Sequence, residues 1–373
     1  MRILYFTRDY TTHDHRFLAA LAETEHQVLM LRLERRGPQL EDRALPPGIE
    51  QLRWRGGQHP ARRQDGPALW LDLQRVLRQV RPDVVHAGPI QTSAFLTALS
   101  GFRPLVSMSW GSDLLRDAQR DEWWRWASRF TLSRTSVLVA DCQAVCDAAA
   151  RLGFPAERTV AFPWGVDLQV FSPPAPEVGR AGEQLRERLG WQNAFVLLCL
   201  RAWEPIYGVD IVVRAFIQAA QQLPELRLFL LGTGSQAPMI QRLLADAGMN
   251  DRVHLGGQVS QANLPKYYRA ADLYINASHS DGSSISLLEA LACGLPALVS
   301  DIPGNREWIS EGQAGWLFPD ADVSQLAEKI VQAAQQRSQL GAVGMQARRL
   351  AEARADWRQN FPQLLKAYAL AKG

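Results

Sequence analysis

The stretch from Ser278 to Ser300, SHSDGSSISLLEALACGLPALVS, constrains the fold more than any other part of the chain. Small polar residues (Ser278, His279, Ser280, Asp281, Gly282, Ser283, Ser284) give way to a helical run carrying Ile285, Leu287, Leu288, Leu291 and Ala292. Cys293-Gly294-Leu295-Pro296 closes that helix, with glycine as the stop and proline just beyond it. Ala297-Leu298-Val299 then reads as a short buried strand. The loop feeds a helix N-terminus, where the first N–H groups lack intrahelical partners and the helix dipole adds partial positive charge. Gly282 permits close backbone approach and Ser283 and Ser284 add hydroxyl donors, so the expected guest is a phosphate. Two carboxylates bracket the site. Asp281 lies on the loop, and Glu289 sits among apolar helix neighbours, either turned to solvent or held inside for a purpose.

The same alternation of strand and helix runs along the chain. Strands are expected at 2–7, 27–33, 84–86, 105–109, 137–140, 159–162, 195–200, 226–231, 253–255 and 273–276, with a further one at Ile49 to Trp54 inside an irregular Arg/Gly/Pro-rich segment, 34–67. Helices are expected at 15–23, 69–80, 91–99, 183–189, 236–247, 264–270 and 357–370. Phe171 to Pro176, with three prolines, reads as a linker. Alternation of this kind argues for parallel sheets, whose ligands gather at the carboxyl ends of the strands.

A chain of 373 residues suggests two domains of ordinary size. The longest apolar runs are strand-sized, far below a membrane span, and no signal peptide is expected because Met1 to Phe6 meets Thr7-Arg8-Asp9 at once. Cys142, Cys146, Cys199 and Cys293 fit a reducing cytosol, and no His or Cys near the 142/146 pair completes a metal site. A net charge of +3 gives no ground for a nucleic-acid partner. Its distribution is uneven: residues 1–165 hold 22 Arg and no Lys against 18 acids. A mildly basic first half suits an acidic acceptor, an anionic membrane surface or a plain solvated surface. Trp123, Trp124 and Trp126 lie among Arg125, Arg129 and Arg134. They read as an interfacial anchor or as packing against the sheet; core packing is the expectation, since Trp126 and Phe130 share a helical face.

The central stretch resembles the acidic-x7-Glu signature of the retaining, nucleotide-sugar-dependent glycosyltransferases of GT-B family 4, usually Glu-Gly-Phe-Gly-x4-Glu-Ala-x-Ala-x-Gly-x-Pro. Asp281 stands for the first Glu, Ser283 and Ser284 for Phe and Gly, and Leu288 to Pro296 matches well. Pro163-Trp164-Gly165-Val166-Asp167 is similar to the family's Pro-Asn-Gly-Val-Asp segment. The resemblance implies an α/β chain of GT-B architecture, two Rossmann-like domains with parallel sheets facing across a cleft. Residues 1–170 would form the acceptor domain, joined by a C-terminal helix at 355–373, and 171–354 the nucleotide-sugar domain.

It also implies roles. Arg201 would stabilise the leaving diphosphate, with Tyr207 in place of the family's Lys donating a hydroxyl to a phosphate. Gly232 and Gly234 would form a close-approach turn, and the backbone at Gln258 and Val259 would read the base. Asp281 would hold the donor sugar, Gly282, Ser283, Ser284, Ile285 and Ser286 the phosphates, and Glu289 the ribose. Asp281, Arg201 and Glu289 would carry catalysis. The first turn of the chain lacks the family's Gly-Gly, and Trp110-Gly111-Ser112-Asp113 stands for His-Gly-x-Asp. Asp9, Tyr10, His13, His86, Trp110 and Asp113 are the acceptor-side candidates, with His15 beside them and helix capping as the other reading of Asp113. Asp320 and Asp322 fall late and loop-like rather than forming an Asp-x-Asp cluster for a divalent cation, so a metal is not required, and no cofactor is implied.

The expected activity is transfer of a sugar from a nucleoside diphosphate, UDP first, to a glycan, lipid-linked glycan or small acceptor in polysaccharide or glycoconjugate biosynthesis. The expected place is the cytoplasm, with peripheral contact at the inner face of the membrane as an extension. A non-catalytic nucleotide-sugar binder and a GT-B epimerase are the alternatives. A Rossmann oxidoreductase is disfavoured because no G-x-G-x-x-G follows the first strand.

Overall fold

The computed structural model describes residues 1–35, 41–175 and 179–373. Pro176, the expected end of the linker, and residues 36–40 of the expected irregular segment lie outside the described residues. The chain forms two compact units, Met1–Pro163 with Gln359–Gly373, and Trp164–Arg358.

The first unit carries β1 (Arg2–Thr7), β2 (Gln27–Arg32), β3 (Glu50–Gln51), β4 (Val84–Gly88), β5 (Leu105–Met108), β6 (Val137–Ala140) and β7 (Thr159–Ala161). They pair in parallel in the order β3-β2-β1-β4-β5-β6-β7. One face packs Leu4, Phe6, Leu29, Leu31 and Val85 against Leu69, Leu73 and Val76 of the helix Gly66–Val80. The helix Pro362–Lys372 lies against β4, β5, β6 and β7. The single C-terminal helix expected from the sequence is two pieces, Trp357–Asn360 and Pro362–Lys372, because Pro362 has no N–H to continue the ladder.

The second unit carries β8 (Phe195–Cys199), β9 (Leu226–Leu231), β10 (Val253–Gly257), β11 (Leu273–Asn276), β12 (Ala297–Ser300) and β13 (Gly315–Phe318). Their order is β10-β9-β8-β11-β12-β13, again all parallel. Both faces of this sheet are covered, which is why its strands read as unbroken apolar runs. Phe195, Leu197 and Cys199 enter one core with Val212, Val213 and Phe216. Val196 and Leu198 enter the other with Leu287, Leu288 and Leu291.

Three expectations change. The first helix starts at Thr12 rather than His15, because Thr11 and Asp14 form a capping box. The strand expected over Ile49 to Trp54 shrinks to Glu50–Gln51; beyond it the chain turns so that Trp54 Nε1 donates to Arg32 O at 2.8 Å. The tryptophan helix, Glu122–Arg134, buries Ala127, Ser128, Thr131 and Leu132 and leaves Trp123 and Trp126 exposed.

Candidate donor site

In the second unit the strand order reverses direction between β8 and β11, the place where open α/β sheets bind ligands. Arg201 follows β8, and the loop Ala277 to Ser284 follows β11, so the fold delivers both to the same switch point. Two helices begin there, Val209–Ala220 and Ile285–Ala292, and neither has a side-chain cap. Ser284, the N-cap of the second, accepts from Arg201 Nη1 at 3.0 Å instead of capping, which leaves the first amides of that helix for an anion.

Arg201 is the hub. Its Nη2 stands 2.7 Å from Asp281 Oδ2, a charge pair that is not aligned as a hydrogen bond, and its Nη1 also reaches Ser286 Oγ at 3.3 Å. Burial is the largest influence and works against the guanidinium charge, but Asp281 together with Tyr207, Tyr274 and Cys199 outweighs it and Arg201 stays cationic. Burial pushes the Asp281 carboxyl above its ordinary value against the pull of Arg201. Tyr274 OH meets Ser286 Oγ at 2.7 Å, and Trp308 Nε1 donates to Ser283 Oγ at 3.0 Å, so the serine hydroxyls are held from below. Arg201 Nε, Asn276 Nδ2 and Asn305 Oδ1 are buried without hydrogen-bond partners, a concentration of polar atoms that favours a polar ligand here.

Tyr207 is in direct contact with the arginine. Its ring lies 4.2 Å from the Arg201 guanidinium carbon, a cation–π stack, so it braces the arginine. Gly232 and Gly234 pack against the same loop. A Cβ at Gly232 would lie 2.7 Å from Arg201 O and one at Gly234 2.5 Å from Trp203 O, so both make room for the arginine loop itself. Gln258 is exposed just after β10 and Val259 is half-buried.

Glu289 is not turned to solvent: it is 2 % exposed. Its Oε1 accepts from Gln261 Nε2 at 2.7 Å and its Oε2 from Tyr268 OH at 2.8 Å. Gln261, Tyr268, Tyr274 and Trp308 were not singled out from the sequence. The aromatic ones signal only a core position and Gln261 only a surface turn, and nothing local announces that their polar tips meet this loop and its helix.

The six acceptor-side candidates divide. Asp9, His13 and Trp110 are partly accessible, and the rings of His13 and Trp110 lie 5.3 Å apart. The other three are buried and engaged. Tyr10 OH meets His15 Nδ1 at 2.6 Å. Asp113 accepts from Ser109 Oγ at 2.5 Å, Trp110 N at 3.1 Å, Leu114 N at 2.9 Å and Ile90 N at 3.0 Å, which pins the loop rather than offering an acceptor site. His86 is 2 % exposed and its Nδ1 lies 2.6 Å from Tyr368 OH. Burial lowers the His86 pKa to about 3, so it is a neutral core residue beneath the C-terminal helix. In place of the missing Gly-Gly, the first helix begins with Asp14 on its own N-terminus: the carboxylate accepts from Thr11 N at 2.8 Å and Tyr5 OH at 3.0 Å.

Among the described residues no group of three or more His, Cys, Asp or Glu could hold a metal ion, and no helix is long and apolar enough to cross a membrane.

Two doubly wound units with a cationic loop and an uncapped helix at one switch point are the architecture of the GT-B glycosyltransferases. Anabaena HepE in complex with UDP-glucose superposes with a TM-score of 0.81 at 20% identity over 99% of each chain, a likeness of fold. The family models described as "Glycosyltransferase Family 4" and "Glycosyl transferases group 1" match residues 11–170 and 182–357. The chain belongs to this glycosyltransferase family. Among its relatives, a D-inositol 3-phosphate glycosyltransferase of Xylanimonas cellulosilytica is 31% identical over 64% of this chain and 58% of its own length. A GDP-mannose-dependent phosphatidylinositol monomannoside mannosyltransferase of Mycolicibacterium smegmatis is 26% identical over 54% of each. The chain spans little more than half the length of these curated relatives.

Proposed function

We propose that this glycosyltransferase moves a sugar from a nucleoside diphosphate sugar, UDP-sugar first, to a hydroxyl of a glycan, a lipid-linked glycan or a small acceptor, with retention at the anomeric carbon. The observation that carries the reading is the convergence of Arg201, the uncapped helix at Ser284 and the buried Glu289 on one switch point. The leaving diphosphate takes its charge onto Arg201 and the amides from Gly282 to Ser286, so a divalent ion is not required. Glu289 holds the ribose and Asp281 the donor sugar. The bond from the anomeric carbon to the diphosphate oxygen breaks as the acceptor oxygen bonds to the same face, and the acceptor proton passes to a phosphate oxygen. The first unit, through Asp9, His13 and Trp110, takes the acceptor. The working place is the cytoplasm, and a lipid-linked acceptor brings the enzyme to the inner face of a membrane.

Thermal shift with UDP, GDP and ADP tests the donor, because a ligand that binds only the folded state raises its melting point. UDP is expected to give the largest shift, and incubation with UDP-glucose to release UDP faster when acceptor sugars are added. A larger shift with GDP changes the donor. Binding without any turnover reduces the protein to a nucleotide-sugar binder.

A further inference from the structure

The helix Glu122–Arg134 is built inside out. Its buried face is mostly small, Ala127, Ser128 and Thr131 with Leu132 beside them, while Trp123 and Trp126 point away from the core. Trp126 is 52% exposed and Trp123 41%. They do not stand alone. Phe95, on the neighbouring helix Ser93–Ser100, lies 5.9 Å from Trp123, 5.8 Å from Trp126 and 5.8 Å from Phe130, and Trp126 stacks on Phe130 at 5.5 Å. Leu99, one turn beyond Phe95 and 39% exposed, carries the strip towards the helix Gly66–Val80, where Trp70 Nε1 donates to Leu99 O at 3.1 Å. A continuous aromatic strip therefore crosses neighbouring helices of the first unit on their outer side. Surface apolar residues are ordinarily scattered singly; a contiguous, pre-stacked patch marks an interaction face.

The charge around the strip selects the partner. The helix Glu122–Arg134 carries Arg125, Arg129 and Arg134 against the single acid Glu122, which Arg125 pairs at 2.7 Å. Arg134 leans over Phe130, its guanidinium carbon 5.5 Å from the ring, and Arg103 reaches Ser133 O at 3.5 Å. Amphipathic indole rings rimmed by arginine match a bilayer interface with anionic headgroups, where rings sit at the level of the glycerol and cations meet phosphates. A second copy of the chain would bring the same positive rim against itself, since a two-fold interface is self-complementary.

We infer that this strip is a membrane-docking face for anionic lipid. It rests on the proposed function only for its purpose, delivery of a lipid-linked acceptor, and its chemistry stands apart from the donor site.

Co-sedimentation with vesicles of phosphatidylcholine alone, and of about 70:30 phosphatidylcholine to phosphatidylglycerol, measures it; the anionic vesicles are expected to bind at least about tenfold more strongly at low salt. Trp123→Ala with Trp126→Ala is expected to lose that binding at least about tenfold, and Arg129→Glu to weaken it and flatten its salt dependence. UDP-induced thermal shift, measured on the same samples, is expected to be unchanged, which also shows that the variants fold. Equal vesicle binding by the wild type and the tryptophan variant overturns the proposal. A dimer in sedimentation velocity that the tryptophan variant dissolves overturns it in favour of a contact between copies. Failure of the wild type to bind UDP, with vesicle binding intact, overturns the enzymatic reading alone.

Discussion

Arg201 and Asp281 stand 2.7 Å apart at the carboxyl ends of neighbouring strands, each about one-sixth exposed, with the Tyr207 ring stacked on the arginine. The pair ties the loop after β8 to the loop after β11 and keeps a buried cation charged. It also sets a competition, because an incoming diphosphate must share Arg201 with Asp281.

That competition predicts opposite signs at one residue. Asp281→Asn leaves Arg201 without its anion, so UDP is expected to bind as tightly or more tightly than in the wild type. Turnover of the UDP-sugar should nevertheless fall if Asp281 holds the sugar. Calorimetry with UDP beside a steady-state assay checks both, and weaker UDP binding in the variant rejects the competition.

Removing the cation does the reverse. Arg201→Ala is expected to lower turnover by about 10²–10³-fold, as for loss of one preorganised donor. It also strands a buried carboxylate, so the melting temperature should drop. Adding Asp281→Asn to Arg201→Ala should recover part of that stability but none of the turnover, a coupling a double-mutant cycle reads directly. Additive stability losses would mean that the pair does not interact.

Tyr207 stacks on Arg201, and the prediction separates its ring from its hydroxyl. Tyr207→Phe keeps the stack and is expected to stay close to wild type in nucleotide affinity. Tyr207→Leu should weaken it by about 0.5–2 kcal/mol, the range of a cation–π contact. A loss with Phe equal to that with Leu would restore the hydroxyl to the leading role.

Glu289→Gln is expected to weaken UDP binding by about 1.5–3 kcal/mol if its carboxylate reaches the ribose, the scale of a charge-assisted hydrogen bond. The change is isosteric beneath Gln261 and Tyr268, so a Tm within a few degrees of wild type should accompany it. Unchanged affinity removes Glu289 from the nucleotide site.

The first unit carries a pH signature. His86 takes a proton near 6.5 when unfolded but only near 3 when folded, so the unfolded state binds protons first and stability falls with pH below 6.5. Asp14 has the opposite sign: held at about 6 against an ordinary 3.8, it takes its proton first in the folded state and adds stability as pH falls from 6. At pH 5 the two act in opposite directions, each on the order of 1–2 kcal/mol. Asp14→Asn removes the favourable one, so its stability should drop more than that of wild type between pH 7 and 5, by on the order of 1 kcal/mol. Denaturant titration at both values checks the difference; parallel losses reject it.

The sequence by itself determined the two-unit α/β plan, because strand and helix periods alternate and hydrophobic burial is read directly from them. It also set the glycine, the serines and the helix start side by side, since they are all neighbours along the chain. What it could not decide were partnerships between residues far apart in it. Arg201 and Asp281 are 80 positions apart, and only the parallel order β8-β11 sets them side by side. His86 looked accessible at a strand end until the helix bearing Tyr368, 282 positions later, covered it. Glu289 was an acid in an apolar run, ambiguous in isolation, and became a buried acceptor once Gln261 and Tyr268 supplied donors. Trp126 shared a helical face with Phe130 in the sequence, but periodicity gives the face and not its direction, and Ala127, Ser128, Thr131 and Leu132 took the inside. Local pattern fixes which groups sit together on an element; the long-range packing of elements alone decides what each group meets, and hence its charge, its exposure and its use.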